Sequence, residues 1–299
     1  MSARTWLAFG ALGIIWGLPY FFVKLAVQEL SPFDIAWGRI TLAALILLPI
    51  AWQRGELRAL VTHKAAVFAV AMAEFAIPFS AISLGERWIP SSVTAILIAT
   101  VPLIIAIISR FFGVHERLGA PRLIGLIVGF AGVVALVGLG TLSGPLAWAG
   151  VGCMLLSAVG YSISPLIIER HLHSVESVGP VAGSLSIASL LLLVPALLSL
   201  PRRIPGAVAL SSVAILGVIC TAISMLLMFY LVKTAGAARA SIITYINPAV
   251  ATVLGMALLD ERLGVWGLTG FGLILLGSWL ATRGSNLSPS TPASSPASC

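Results

Sequence analysis

Charge is what this 299-residue chain has least of: Asp, Glu, Lys and Arg together make up 9% of it, while 59% is hydrophobic. A soluble domain carries about 25% charged residues. A soluble fold of this length has too little interior to hide so much apolar surface, so lipid must be the solvent for most of the chain. Lysine is rarer still. Lys24, Lys64 and Lys233 are the only three, and none follows a glycine. No Gly-Lys-Ser/Thr phosphate loop exists, which excludes a P-loop pump.

Cysteine and histidine are equally sparse. Cys153, Cys220 and Cys299 show no pairing or metal spacing, which excludes a disulfide framework and a zinc site. His63, His115, His171 and His173 all fall between apolar runs, whereas an intramembrane hydrolase needs a buried base or metal ligands. His171 and His173, with Glu169 and Glu176, read as a hydrated loop. No enzyme activity, metal or cofactor is expected. A receptor or scaffold is also disfavoured, because no segment between the apolar runs is long enough for a soluble domain. The net charge of +7 does not mark a nucleic-acid partner, since the basic residues sit in short gaps and form no continuous face.

What is present is a series of apolar runs. A helix rising 1.5 Å per residue needs about 20 residues to cross a core of about 30 Å. On that rule spans are expected at 5–27, 33–52, 65–85, 90–112 and 118–140, then at 145–168, 178–200, 208–232, 239–260 and 263–283. The first run is too long for a secretory signal and nine similar runs follow, so it reads as a retained span. Residues 284–299, rich in Ser, Pro and Ala, read as a disordered cytoplasmic tail. With the N-terminus inside, eleven basic residues fall in cytoplasmic gaps and four outside (Arg87, Arg202, Arg203, Arg262). Both termini are therefore expected in the cytoplasm of a plasma-membrane (bacterial inner-membrane) protein. The Arg202-Arg203 pair runs against that rule.

The chain also repeats itself. HERLG at 115–119 returns as DERLG at 260–264, an offset of 145 (261 minus 116), and the same offset pairs Gly125 with Gly270 and Gly132 with Gly277. Pro102 and Pro248 pair at 146. Five spans per half is an odd number, so the second copy enters the membrane from the opposite side. The expected fold is an all-α membrane protein of about ten helices in two inverted five-helix repeats, 1–140 and 141–283. Secondary transporters commonly follow this plan, with the site at the repeat interface.

Trp16-Gly17, Lys24, Pro32 and Arg39 resemble the W-G…K…P…R signature of the first two spans of EamA-type proteins, in the drug/metabolite transporter superfamily. SSVTAILIATVPLIIAIISRFFGVHERL and its counterpart ASIITYINPAVATVLGMALLDERL resemble that family's fourth and ninth spans with the glutamate following each. The resemblance covers nearly all of the chain except the tail. It implies ten helices in two inverted halves and export of amino acids or other small metabolites. It also implies a cavity lined by spans one, three, four, six, eight and nine.

Glu74 is the first candidate for chemistry. It lies about ten residues from either end of the third span, roughly 15 Å deep. A carboxylate there costs at least about 2.5 kcal/mol and normally faces a cavity or a partner. It reads either as a proton-coupling group or as a structural acid; it lies outside the signature residues. Pro78, Pro165 and Pro248 each follow a polar residue by four (Glu74, Tyr161, Thr244), joining a freed carbonyl to a polar side chain. Together with Pro19 and Pro102 they are candidate helix breaks around a polar cavity. Trp16, Tyr20, Tyr161, Tyr230, Thr244, Tyr245 and Asn247 complete the expected substrate path. Tyr230 also reads as an interfacial belt residue and Trp16 as packing.

Lys24, Arg39 and Glu86 are candidate charged gates. Snorkelling to the interface is the simpler reading of Lys24, and a solvated loop that of Glu86. Arg39, deeper, pairs with a buried acid or attracts an anionic group. Glu116 and Glu261 read as structural acids at the N-terminus of the helix that follows each. Gly125, Gly129 and Gly132, with their counterparts near Gly270, read as close packing. The expected partners are a small-molecule substrate and membrane lipid; the oligomeric state is open. Alternating access with Glu74 carrying a proton is the leading mechanism, and an uncoupled channel or facilitator is its rival.

Overall fold

The computed structural model describes residues 3–108, 120–138, 144–172, 175–176, 178–235 and 246–282. Among them every regular element is helical. In chain order these are α1 (Ala3–Ala26), α2 (Pro32–Gln53), the short α3 (Arg58–Thr62), α4 (Lys64–Gly85), α5 (Ser91–Ile98) and α6 (Val101–Ile108). Then follow α7 (Ala120–Gly138), α8 (Ala147–His171), α9 (Val178–Ser199), α10 (207–235), α11 (Ile246–Leu258) and α12 (Val265–Thr282). Six are long and apolar enough to cross a membrane: α1, α2, α4, α8, α9 and, over Ala207–Met228, α10. Shorter apolar helices at Ser91–Ile105, Leu123–Ala135, Ile246–Leu258 and Val265–Leu280 accompany them. The expected tail lies outside the described residues.

Local chemistry sets the boundaries. Ser31 caps α2 in a reciprocal box, its hydroxyl accepting from the Asp34 N–H while Asp34 accepts from the Ser31 N–H, and Pro32 begins the helix. The Ser199 hydroxyl donates to Asp34, so the end of α9 is tied to the start of α2. The span expected over 90–112 is interrupted at Ala99–Thr100, and α6 restarts with Pro102 at its second residue. Proline lacks the N–H and disfavours helical geometry just before it. By contrast α1 runs through Pro19 and α8 through Pro165 without interruption, and Pro248 lies inside α11. Pro78 follows a different device: residues Ala71–Ala76 of α4 form a π-helical turn, and the α-helix resumes at Ile77. A second π turn, Val218–Ile223, interrupts α10. The two lie 147 residues apart at both ends (218 minus 71, 223 minus 76).

Side-chain apolarity faces outward as well as inward. Leu7, Leu45, Trp52, Leu190 and Leu198 are well exposed, as lipid-facing residues must be when the solvent is hydrocarbon. Small residues let helices approach. A Cβ at Gly132 of α7 would lie 2.8 Å from the Gly270 carbonyl of α12. One at Gly277 of α12 would collide with Gly129 and lie 2.6 Å from the Gly125 carbonyl. The glycine pattern is therefore the seam of the α7–α12 pair. Elsewhere α2 packs on α9 and α10, α4 on α8, and α1 on α10 and α11. One large apolar cluster joins α2, α4 and α9, a second joins α4, α5 and α8, and Tyr161 packs against both.

Candidate functional site

Polar groups converge where α1, α2, α4, α8 and α10 meet. Arg39 of α2 is 4% exposed, and it is the centre of the group. Its guanidinium carbon lies 3.7 Å from the centroid of the Phe79 ring of α4, a cation–π contact. One terminal nitrogen donates to Thr221 Oγ1 at 3.2 Å, while Nε is buried without a partner. Tyr20 of α1, Tyr161 of α8, Cys220 of α10 and Glu86 lie within its electrostatic reach. Tyr161 in turn lies within reach of Tyr20 and Glu74.

Both π turns supply this cluster. Glu74 sits in the first, half-buried, beside Ser164 of α8. Thr221 sits in the second, its hydroxyl donating to the Leu216 carbonyl five residues back at 2.8 Å. A π turn adds a residue to one turn of helix, leaving main-chain carbonyls unpaired, and such turns are frequent at functional sites. Glu74 and Thr221 occupy the same position of the two turns, 147 residues apart. Of the expected site residues, the structure brings Tyr20, Arg39, Glu74 and Tyr161 together. Phe79, Ser164 and Thr221 belong to the same cluster and were not singled out from sequence. The sequence offset of 145 carries Glu74 to Ile219, two residues short of Thr221, so the repeat alone did not point to Thr221.

A second polar group closes the end of the bundle where α4 stops. Lys24 does not snorkel away: its ammonium donates to the carbonyls of Glu86 at 2.6 Å and Ile89 at 2.9 Å. Those carbonyls follow α4, where the helix dipole favours a cation. Glu86 is not a solvated loop residue either; it is fully buried. The chain turns at once into α5 here, and Gly85 is pressed against Gly150 and Cys153 of α8, which excludes water. Glu261 departs from expectation too. Instead of serving the helix that follows it, it accepts from the N–H groups of Ser91 (2.7 Å) and Ser92 (2.9 Å) and from the Ser92 hydroxyl (2.5 Å). It thus caps α5, whose free N–H groups attract a carboxylate.

Other expected residues are elsewhere. Trp16 packs with Leu12, Leu227 and Leu231 at the α1–α10 contact. Tyr230 is 39% exposed on α10, and its carbonyl accepts from Thr234. Asn247 starts α11, with its carbonyl near Gly17 of α1. Thr244, Tyr245 and Glu116 lie outside the described residues. Among the described residues no His, Cys, Asp and Glu cluster has the makings of a metal site.

A helical bundle with exposed apolar flanks and a buried cationic and carboxylic centre defines a multi-span membrane protein with a polar interior. The model of the EamA-like transporter family matches residues 4–138 and again 148–283. The chain belongs to that family and is a membrane transporter of it. It is 28% identical over 295 residues to the "uncharacterized inner membrane transporter YedA" of Escherichia coli K12, covering 96% of this chain and 93% of that one. An "uncharacterized transporter" of Archaeoglobus fulgidus is 27% identical over 284 residues, covering 94% and 99%. A solved structure described as "Crystal structure of protein" superposes with a TM-score of 0.66 at 20% identity, covering 94% of this chain and 97% of that one. At that identity the likeness concerns the fold alone.

Proposed function

We propose that this protein is a secondary transporter that exports small metabolites, amino acids or related amphiphilic compounds, by alternating access between two inverted five-helix halves. The observation that carries the reading is Arg39. A guanidinium held in the interior by an aromatic ring and a hydroxyl, with no carboxylate bonded to it among the described residues, is a cation kept for an anionic group that comes and goes. Tyr20, Phe79 and Tyr161 offer aromatic surface to the rest of such a ligand. Glu74 is the proton-coupling group. Its place in a π turn beside the cluster puts a titratable carboxyl next to the ligand.

The halves are residues 1–140 and 141–283, with about ten membrane-spanning helices in all, α5 and α6 together forming one, and both termini in the cytoplasm of the inner membrane. Three observations support the two halves. The family model matches twice along the chain. The π turns lie 147 residues apart, within two residues of the repeat spacing. The glycine contacts at α7–α12 are reciprocal: Gly132 meets Gly270, and their equivalents Gly277 and Gly125 meet each other. Reciprocity of that kind is what a two-fold axis between equivalent elements produces. Cytoplasmic termini would be tested by reporter fusions at each end, active only on one side of the membrane.

The decisive experiment is uptake into everted membrane vesicles, screening amino acids and metabolites with and without a proton gradient. Saturable accumulation that collapses with an uncoupler is expected. Equilibration that ignores the gradient would identify a channel or facilitator instead.

A further inference from the structure

Glu86 is a buried acid with nothing to balance it. It follows the last residue of α4, is 0% exposed, and neither carboxyl oxygen has a hydrogen-bond partner. The groups facing it are Tyr20 and Lys24 of α1, Arg39 of α2, and Glu261 just before α12. Tyr20 carries no charge, Lys24 and Arg39 are engaged elsewhere, and Glu261 has the wrong sign. The Lys24 ammonium is bonded to the Glu86 and Ile89 carbonyls, not to the Glu86 side chain. The Arg39 guanidinium is bonded to Thr221 and lies over Phe79. Glu261 is a second acid, already occupied in accepting three hydrogen bonds at the start of α5.

An unpartnered carboxylate out of water costs several kcal/mol, and such a group neutralises instead. Burial pushes the Glu86 carboxyl well above the usual carboxylate range. Lys24 opposes the rise, Glu261 adds to it, and Arg39 opposes it.

We propose that Glu86 is a proton-binding site separate from Glu74, and that taking up one proton there is required to shut this end of the protein. The balance is simple. On opening, the neutral Glu86 carboxyl gives its proton to water entering from that side. Lys24 leaves the two carbonyls and pairs with the new carboxylate. On closing, one proton returns from the same side and Lys24 goes back to the carbonyls. Opening and closing rest on the transporter reading above; proton binding by Glu86 does not.

The test is infrared pH-difference spectroscopy on the purified full-length protein in lipid nanodiscs, which needs no substrate. A protonated-carboxyl band that persists at neutral pH is expected in Glu74→Gln, where Glu74 cannot supply it, and is expected to vanish when Glu86→Gln is added to that variant. The thermal midpoint supplies a second reading. A raised carboxyl contributes stability that is present at low pH and lost as pH rises through its folded value. Heating the wild type should therefore show a midpoint that falls as the solution is made more alkaline, and Glu86→Gln should flatten that fall. A neutral-pH band unchanged in the folded double variant overturns the proposal, as does an equal loss of midpoint in Glu86→Gln at every pH. If the band behaves as expected while vesicle transport ignores the proton gradient, the transporter reading fails and the Glu86 site stands.

Discussion

At residue scale, the proposed transport rests on Arg39 and Glu74. The Arg39 guanidinium, 3.7 Å from the Phe79 centroid, holds the positive charge in an aromatic setting. Arg39→Gln should abolish saturable transport while leaving a folded, membrane-inserted protein; full activity in that variant would remove Arg39 from the substrate path. Arg39→Lys should recover little, because a point charge does not reproduce the planar stacking on Phe79. Glu74→Gln should retain substrate binding but lose dependence on the proton gradient, read as flux at two external pH values. Depth in a span made these two residues legible from sequence. The burial of Glu86 and the partners of Lys24 and Glu261 were not legible, because they depend on contacts across 62 to 170 residues, which local pattern does not carry. A glutamate in a loop looks solvated until another helix closes over it.

At the scale of elements, the interruptions matter more than the regular turns. The π turn at Ala71–Ala76 places Glu74 beside Tyr161, and that at Val218–Ile223 places Thr221 under Arg39. Thr221→Val keeps the shape and removes the hydroxyl, so it should weaken substrate affinity several-fold with expression unchanged, and Thr221→Ser should restore it. The break at Ala99–Thr100 follows from Pro102, which sequence shows. The continuity of α1 through Pro19 and of α8 through Pro165 does not follow from composition, because packing by neighbouring helices decides whether a proline bends or breaks a span. The α7–α12 seam was visible as a glycine pattern, although its partner helix was not. Gly277→Leu should separate these helices and lower the thermal midpoint, at a cost of at least about 1–3 kcal/mol for overpacking. A midpoint unchanged from wild type would show that the close approach is absent.

At the scale of the molecule, two matches to one family model, two π turns at one spacing and one reciprocal glycine seam point to a protein made of two related halves. Their interior holds a cation and acids that a simple scaffold would not bury. Composition alone gave the membrane class; the chemistry of the interior needed the packing. Transport into everted vesicles, comparing wild type with Arg39→Gln across a set of amino acids and related anionic metabolites, tests the central claim most directly. Saturable, uncoupler-sensitive accumulation of at least one such compound by the wild type, lost in Arg39→Gln, is the predicted result. Equal accumulation by both proteins, or flux that never saturates, would contradict it.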